Sequence, residues 1–164
     1  MEDYLETKRS VFPRFYFISN EELVEILSLS RQPDLIQVHL KKLFDNIKSL
    51  RLLVKKTILA NGIISNENEE ISLLSTLSLE GNVEQWLKDL EIKMQITVRE
   101  YLKNCLSALK LQSSKRDKWA KSWPSQCCVT ASEIEWTSAT TKALITCQVD
   151  GSSKPLKKLI RKQV

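Results

Sequence analysis

Asn82 to Leu109, "NVEQWLKDLEIKMQITVREYLKNCLSAL", is the stretch whose period settles the fold class. Val83, Trp86, Leu87, Leu90, Met94, Val98, Tyr101, Leu102, Cys105, Leu106 and Leu109 recur three and four residues apart. That is one apolar stripe on a helix of about seven turns. Asn82 is a good N-cap, with Gln85 three residues on. Glu84 with Lys88, and Asp89 with Lys93, form favourable i,i+4 pairs on the wet side. The spacing predicts a long helix over 82–111. A stripe of this length needs other helices along it, with Trp86 and Leu90 as packing residues. The expected class is mainly α: a helical bundle.

Working towards the N-terminus, 50–79 breaks the helical period. "LRLLV", "TILANGIIS" and "EISLLSTLSL" are short, β-branched or leucine-rich runs. They predict a small inserted antiparallel β hairpin. Its turn is placed at Asn66 to Glu69, with Asn61-Gly62 as a competing hairpin signal. Residues 8–48 read as an aromatic segment followed by two helices. In "FPRFYFISNEEL" (Phe12–Leu23), Ser19 stands three residues before Glu22, the spacing of a capping box. A short helix follows, roughly Glu21 to Leu29, and a second from Pro33 to Ile47, where Ile36, Leu40, Leu43, Phe44 and Ile47 share a stripe. Phe12, Phe15, Tyr16 and Phe17 are expected to form an extended, buried segment anchoring the first helix. Arg14 meets either a carboxylate or solvent.

Towards the C-terminus, 115–164 reads as further helices. "KRDKWAKSW" (Lys115–Trp123) mixes cations with rings, and Pro124 breaks the chain. A helix is predicted from Gln126 to Ile145, with Trp136 among small residues, and Trp123 is a packing candidate before it. Asp150 to Ser153 is a loop. "KPLKKLIRKQV" begins an amphipathic helix with Leu156, Leu159 and Ile160 on one side, and it stops at Val164 as if cut within an element.

Composition narrows the function. The charged N-terminus lacks a secretory apolar core, and no run approaches the length of a bilayer span. Three isolated glycines cannot supply a phosphate-cradling or dinucleotide-binding loop. His39 is the single histidine, between Val38 and Leu40 inside a helix, which leaves no base for a catalytic triad. Cys105, Cys127, Cys128 and Cys147 have no zinc spacing and read as reduced, buried thiols. Glu21-Glu22 and Glu69-Glu70 read as helix-start and turn residues. No catalytic residue, cofactor site or metal site is expected. A net charge of +5 leaves one binding alternative. Lys41-Lys42, Lys55-Lys56, Lys115 to Lys121 and Lys154 to Lys162 could track phosphates, with Trp119 or Trp123 stacking on bases, as a basic helical module for nucleic acid or another anionic surface. Interspersed acids and the lack of any nucleic-acid-binding motif stand against it.

Five collinear blocks carry a resemblance over nearly the whole chain. They are "KRSVFPRFYFISNEELVEILS" (Lys8–Ser28), "QVHLKKLFDNI" (Gln37–Ile47), "GNVEQWLKDLEIKMQITVREYL" (Gly81–Leu102), "WPSQCCVTASEIEWT" (Trp123–Thr137) and "KPLKKLIRKQV" (Lys154–Val164). Together they resemble the linker region of dynein heavy chains, the axonemal members most closely. Three departures fall in turns or caps. Val38 stands where the family usually has proline, Asn68 where a β turn often has glycine, and Ser125 where Trp-Pro-Gly-Gln is usual. The resemblance implies that 1–164 is a single linker segment, a fragment or short isoform without the AAA+ motor modules. It implies a force-transmitting role: in the family the linker bends and straightens over the AAA+ ring as ATP turns over, driving movement along microtubules. The implied partners are the rest of the heavy chain with its ring and, through the assembly, intermediate and light chains and microtubules. The implied location is the cytoskeleton of the ciliary axoneme, with no membrane or nucleic-acid partner.

Overall fold

The computed structural model describes residues 2–54, 56–111 and 116–163. The chain divides into two compact units, Met1–Val98 and Arg99–Val164.

In the first unit, helix α1 (Glu2–Val11) opens the chain. Its sequence reads only as a charged terminus, because Leu5 is its one buried side chain. Glu2 and Asp3 in the first turn and Lys8 and Arg9 in the last complement the helix dipole. Pro13–Phe17 then forms a 3-10 helix, not the expected extended segment. Pro13 at its start fixes a helical φ. With three residues per turn, Phe12, Phe15 and Ile18 fall on one side, and all three are buried. The same period turns Tyr16 and Phe17 outwards, so Phe17, at 68% exposed, is not the core ring that its composition suggests.

Helices α2 (Asn20–Ser28) and α3 (Pro33–Leu43) follow. The second ends four residues before the predicted Ile47. Phe44 is extended and Asn46 takes a positive φ of 58°, and these two residues swing the chain into a strand. Strands β1 (Ile47–Val54), β2 (Ile58–Ser65) and β3 (Glu70–Ser78) make a three-stranded antiparallel sheet in the order β1-β2-β3. The three short runs in the sequence are thus three strands, one more than a hairpin.

The β2–β3 turn lies at 66–69. Ser65 Oγ accepts from the amides of Glu67 and Glu69 at 3.2 and 3.0 Å. Asn68 takes the left-handed conformation at φ 62°, one of the few non-glycine residues that does so readily. Asn61-Gly62 is no turn; it lies inside β2 beside an irregularity in the register. Arg51 on β1 reaches across Gly62, bonding Asn61 Oδ1 (2.9 Å) and Ser72 Oγ (2.8 Å) and pairing with Glu70 (3.3 Å). A Cβ on Gly62 would stand 3.1 Å from that guanidinium and 3.0 Å from the Ile71 carbonyl oxygen.

Helix α4 (Val83–Leu111) begins in this unit and supplies Val83, Trp86, Leu87 and Leu90 to its core. The other core members come from all the elements above, including Leu23, Ile26, Ile36, Leu40, Leu50, Ile63, Leu73 and Leu77.

The second unit holds the end of α4, a short α5 (Arg116–Ala120), α6 (Ser125–Asp150) and α7 (Lys154–Gln163). Helix α6 outruns its predicted end at Ile145 because the first residue able to stop it is Gly151, which takes a left-handed φ of 61°. Ser152 Oγ accepts from the Lys154 amide at the start of α7, which packs on α6. The predicted Lys55, Lys115 and Val164 lie outside the described residues.

Candidate functional site

The residues singled out in the sequence meet most densely where the aromatic segment joins α3 and α4. Phe12 and Phe15 pack edge to face, ring centroids 5.1 Å apart, and Phe12 also lies 6.0 Å from Phe44. Such pairs add about 0.5–1.5 kcal/mol beyond the area they bury. Between these rings the chain carries one cation, Arg14, and its alternatives resolve in favour of a carboxylate. Nε and Nη2 bond one oxygen of Glu91 on α4 at 3.2 and 3.1 Å. Nη1 bonds the Leu43 carbonyl at 3.1 Å, occupying an acceptor that the end of α3 leaves open. The guanidinium lies 5.0 Å from the Phe44 ring centroid, within cation–π range.

A second brace runs in parallel. Glu84 does not lie on the wet side of α4, where its spacing to Lys88 puts it: it is almost fully buried and accepts from Lys8 on α1. That hydrogen bond raises the lysine above its ordinary range, outweighing the opposing effect of burial. Lys8 and Arg14 therefore grip α4 through acids at 84 and 91. Seven residues are two turns, so both acids rise on one side of the helix.

The capping box seats α2. Glu22 N–H donates to Ser19 Oγ (3.3 Å), and Ser19 N–H donates to Glu22 Oε2 (3.2 Å). The other Glu22 oxygen accepts from Lys42 on α3, and this bond, then the Ser19 amide, lowers the carboxyl below its usual range. Outside the brace, Arg9 bonds Asn20 Oδ1 at 2.8 Å and lies over the Tyr16 ring. The Tyr16 hydroxyl donates to Glu6, which raises its pKa. Tyr16 stays more than half exposed beside Phe17.

Of the other packing candidates, Trp86 and Leu90 are buried in the first core. In the second unit Trp123 is half-buried and meets Tyr101 edge to face at 6.4 Å. Trp136 is 53% exposed, because it sits on a helix that buries only Cys127 and Ala131. The ring that holds this unit is Trp119, which the sequence offers as a stacking residue. It is buried, and its indole N–H donates to the Cys105 carbonyl at 3.0 Å. Burial, and the neighbouring Cys128 after it, push the Cys105 thiol up to about 12. Cys105 and Cys127 are buried as expected, whereas Cys128 and Cys147 are half-buried.

His39 is buried in α3, with Nε2 3.6 Å from a Glu25 oxygen. Among the described residues no group of three or more His, Cys, Asp or Glu side chains could hold a metal, and no helix is long and apolar enough to cross a membrane. The braces Arg14–Glu91 and Lys8–Glu84 have no local signature. Their partners lie 77 and 76 residues apart in sequence, and only the fold brings them together.

Two ion-paired cations, a ring pair and a reciprocal cap define a bracing site, one that fixes helices against each other. Residues 1–105 match the family model described as "Dynein heavy chain, N-terminal region 2". The chain is 48% identical over 165 residues to dynein axonemal heavy chain 2 of Homo sapiens, covering 98% of this chain. It is 37% identical over 168 residues, and the whole of this chain, to the dynein-1-beta heavy chain of the flagellar inner arm I1 complex of Chlamydomonas reinhardtii. The chain belongs to the dynein heavy chain family, within its N-terminal region. It spans 4% of the length of each of these two relatives.

Proposed function

We propose that this chain is a structural, force-transmitting linker segment of an axonemal dynein heavy chain, and that 1–164 acts as one linker segment. The observation that carries the reading is the double brace. Lys8 and Arg14, from the segment richest in the family resemblance, hold two acids on one side of α4. A lever element must not slip against its neighbours under load, and buried or half-buried charge pairs with fixed geometry resist such slippage. The segment itself performs no catalysis on this reading. Its partners are the rest of the heavy chain with its AAA+ ring and, through the assembly, intermediate and light chains and microtubules. Its place is the axoneme.

The test places one fluorophore on this segment and another on the ring of a full heavy chain. The expected result is a donor–acceptor distance that changes between nucleotide states, and a smaller change after R14A. An unchanged distance across all nucleotide states overturns the reading.

One observation favours a second reading. Lys and Arg outnumber Asp and Glu by thirteen to five in Arg99–Val164, a net +8, against twelve to fifteen in Met1–Val98, a net −3. The basic half is the part that could bind nucleic acid or another anionic surface. A salt titration with DNA and RNA tests it: a steep loss of binding with salt supports it, and no binding at low salt ends it.

A further inference from the structure

Three of the four thiols converge inside the second unit. Cys105 is buried on α4, and Cys127 and Cys128 lie in the first turns of α6. Cys128 S–H donates to the Ala120 and Trp123 carbonyls at 3.5 and 3.6 Å, and its sulfur accepts from the Cys105 thiol. Cys127, one residue back, acts on Cys105 more weakly. The two hydrogen-bonded thiols differ in access. Cys105 is closed off beside Trp119, whereas Cys128 is half-buried, between an exposed Ala120 and a half-buried Trp123. One sulfur within reach of a small oxidant, touching a second that is not, is the arrangement of an attacking and a resolving cysteine.

We propose that Cys105 and Cys128 form a peroxide-responsive thiol pair, closing to a disulfide that ties α4 to α6. The Cys128 thiolate attacks one oxygen of hydrogen peroxide. The O–O bond breaks, and the departing hydroxide leaves as water with the proton that Cys128 gave up. Cys128 Sγ is thereby oxidised to a sulfenic acid. The Cys105 sulfur then attacks Cys128 Sγ, the S–O bond breaks, and hydroxide leaves as a second water with the Cys105 proton. In sum, two thiols and one peroxide give a disulfide and two waters.

Cys105 is a poor nucleophile in solution terms. With its thiol pushed up to about 12, only about one molecule in 10⁴ carries the thiolate at pH 8. Contact offsets that, because well-placed neighbours react as if at about 10⁵ M or more. Cys105 therefore ignores outside reagents yet resolves an oxidised Cys128. The link joins the C-terminal half of α4 to the start of α6 and withdraws the Cys128 donor from the Ala120 and Trp123 carbonyls. A thiol reductant reverses it, as for other transient disulfides.

The experiment treats the full chain with hydrogen peroxide, caps the remaining thiols, digests the chain and maps linked peptides by mass. Wild type should give one cross-link within a single chain, between the peptide of Cys105 and that of Cys127-Cys128, and dithiothreitol should remove it. C127S should keep the link and C128S should lose it, with circular dichroism unchanged in both. In urea, where the contact between α4 and α6 is gone, the preference for this pair should vanish. Oxidation of Cys128 to a sulfinic acid with no cross-link in the folded wild type overturns the proposal. So does a link that survives C128S, one that a folded C127S lacks, or one that forms as readily in urea.

Discussion

Met1–Val98 and Arg99–Val164 use similar helices to opposite effect. The first unit closes a continuous core of twenty buried residues drawn from helices and all three strands, and it carries a net −3. The second buries six apolar residues, Cys105, Leu109, Trp119, Pro124, Cys127 and Ala131, among those described, and carries +8. The difference lies in what each helix faces. In the first unit helices and strands close on one shared core, although Val24, Leu35, Val38, Leu74, Ile92 and Ile96 stay exposed. In the second, α6 leaves Ile134, Trp136, Leu144, Ile145 and Val149 exposed. Stability in the first unit should therefore depend on packing volume, and in the second on a few hydrogen bonds. The family model ends at residue 105, close to the same boundary.

The sharpest way to break that comparison is Phe15→Ala. The ring is fully buried against Phe12. Its removal should cost about 3–5 kcal/mol, measured by urea denaturation of the first unit's signal. A loss under about 1 kcal/mol would show that this core is looser than its burial implies.

Gly62→Ala should come next, at about 1–3 kcal/mol, the range of an overpacked site. The added methyl meets a backbone oxygen that cannot move without breaking the β2–β3 ladder, and the Arg51 guanidinium that spans the strands. If the variant with Arg51→Ala in addition is no worse than Gly62→Ala alone, the clash with the guanidinium is the cause. If the double variant loses the sum of both, the close approach of Ile71 is.

Which of these features can be read from residues alone follows from their range. The α4 stripe and the Ser19–Glu22 cap are local patterns, and both stand in the structure as the spacing implies. The rings at 12–17 are equally local, but their period was ambiguous. Alternation would bury different rings from a three-residue turn, and Pro13 tips the balance to the turn. The braces to Glu84 and Glu91 depend on elements about 76 residues apart, so no window of sequence contains both partners. Asn61-Gly62 carries a strong turn signal, yet its glycine serves close approach inside a strand, a role that appears only once Arg51 is placed opposite.

In the second unit the probe is Trp119→Phe. It keeps most of the ring but leaves the Cys105 carbonyl without its indole donor, a loss of about 1 kcal/mol. The Cys105 thiol reports on it. Held up to about 12 by burial, it binds its proton more tightly folded than unfolded. That contribution to stability is complete below the unfolded pKa, and it is lost as pH rises from about 9 towards 12. Alkylation of Cys105 at pH 8 should be slow in the wild type and faster in W119F. Equal rates in both would mean that this indole does not close the unit.

The smallest effect separates packing from display. Phe17→Ala should change stability by less than about 0.5 kcal/mol, the ordinary result for a surface position, because the three-residue period that buries Phe12, Phe15 and Ile18 points Phe17 at solvent. A loss comparable to that of Phe15→Ala would mean that the segment is extended after all and that the ring belongs to the core. A negligible loss leaves Phe17 beside Tyr16 as exposed aromatic surface. The same substitution in a full heavy chain then distinguishes the remaining roles. If motility falls while the isolated segment stays as stable as wild type, the ring works at a contact the segment makes elsewhere in the motor. If motility is unchanged, the exposed ring is a consequence of the turn that Pro13 starts and carries no contact of its own.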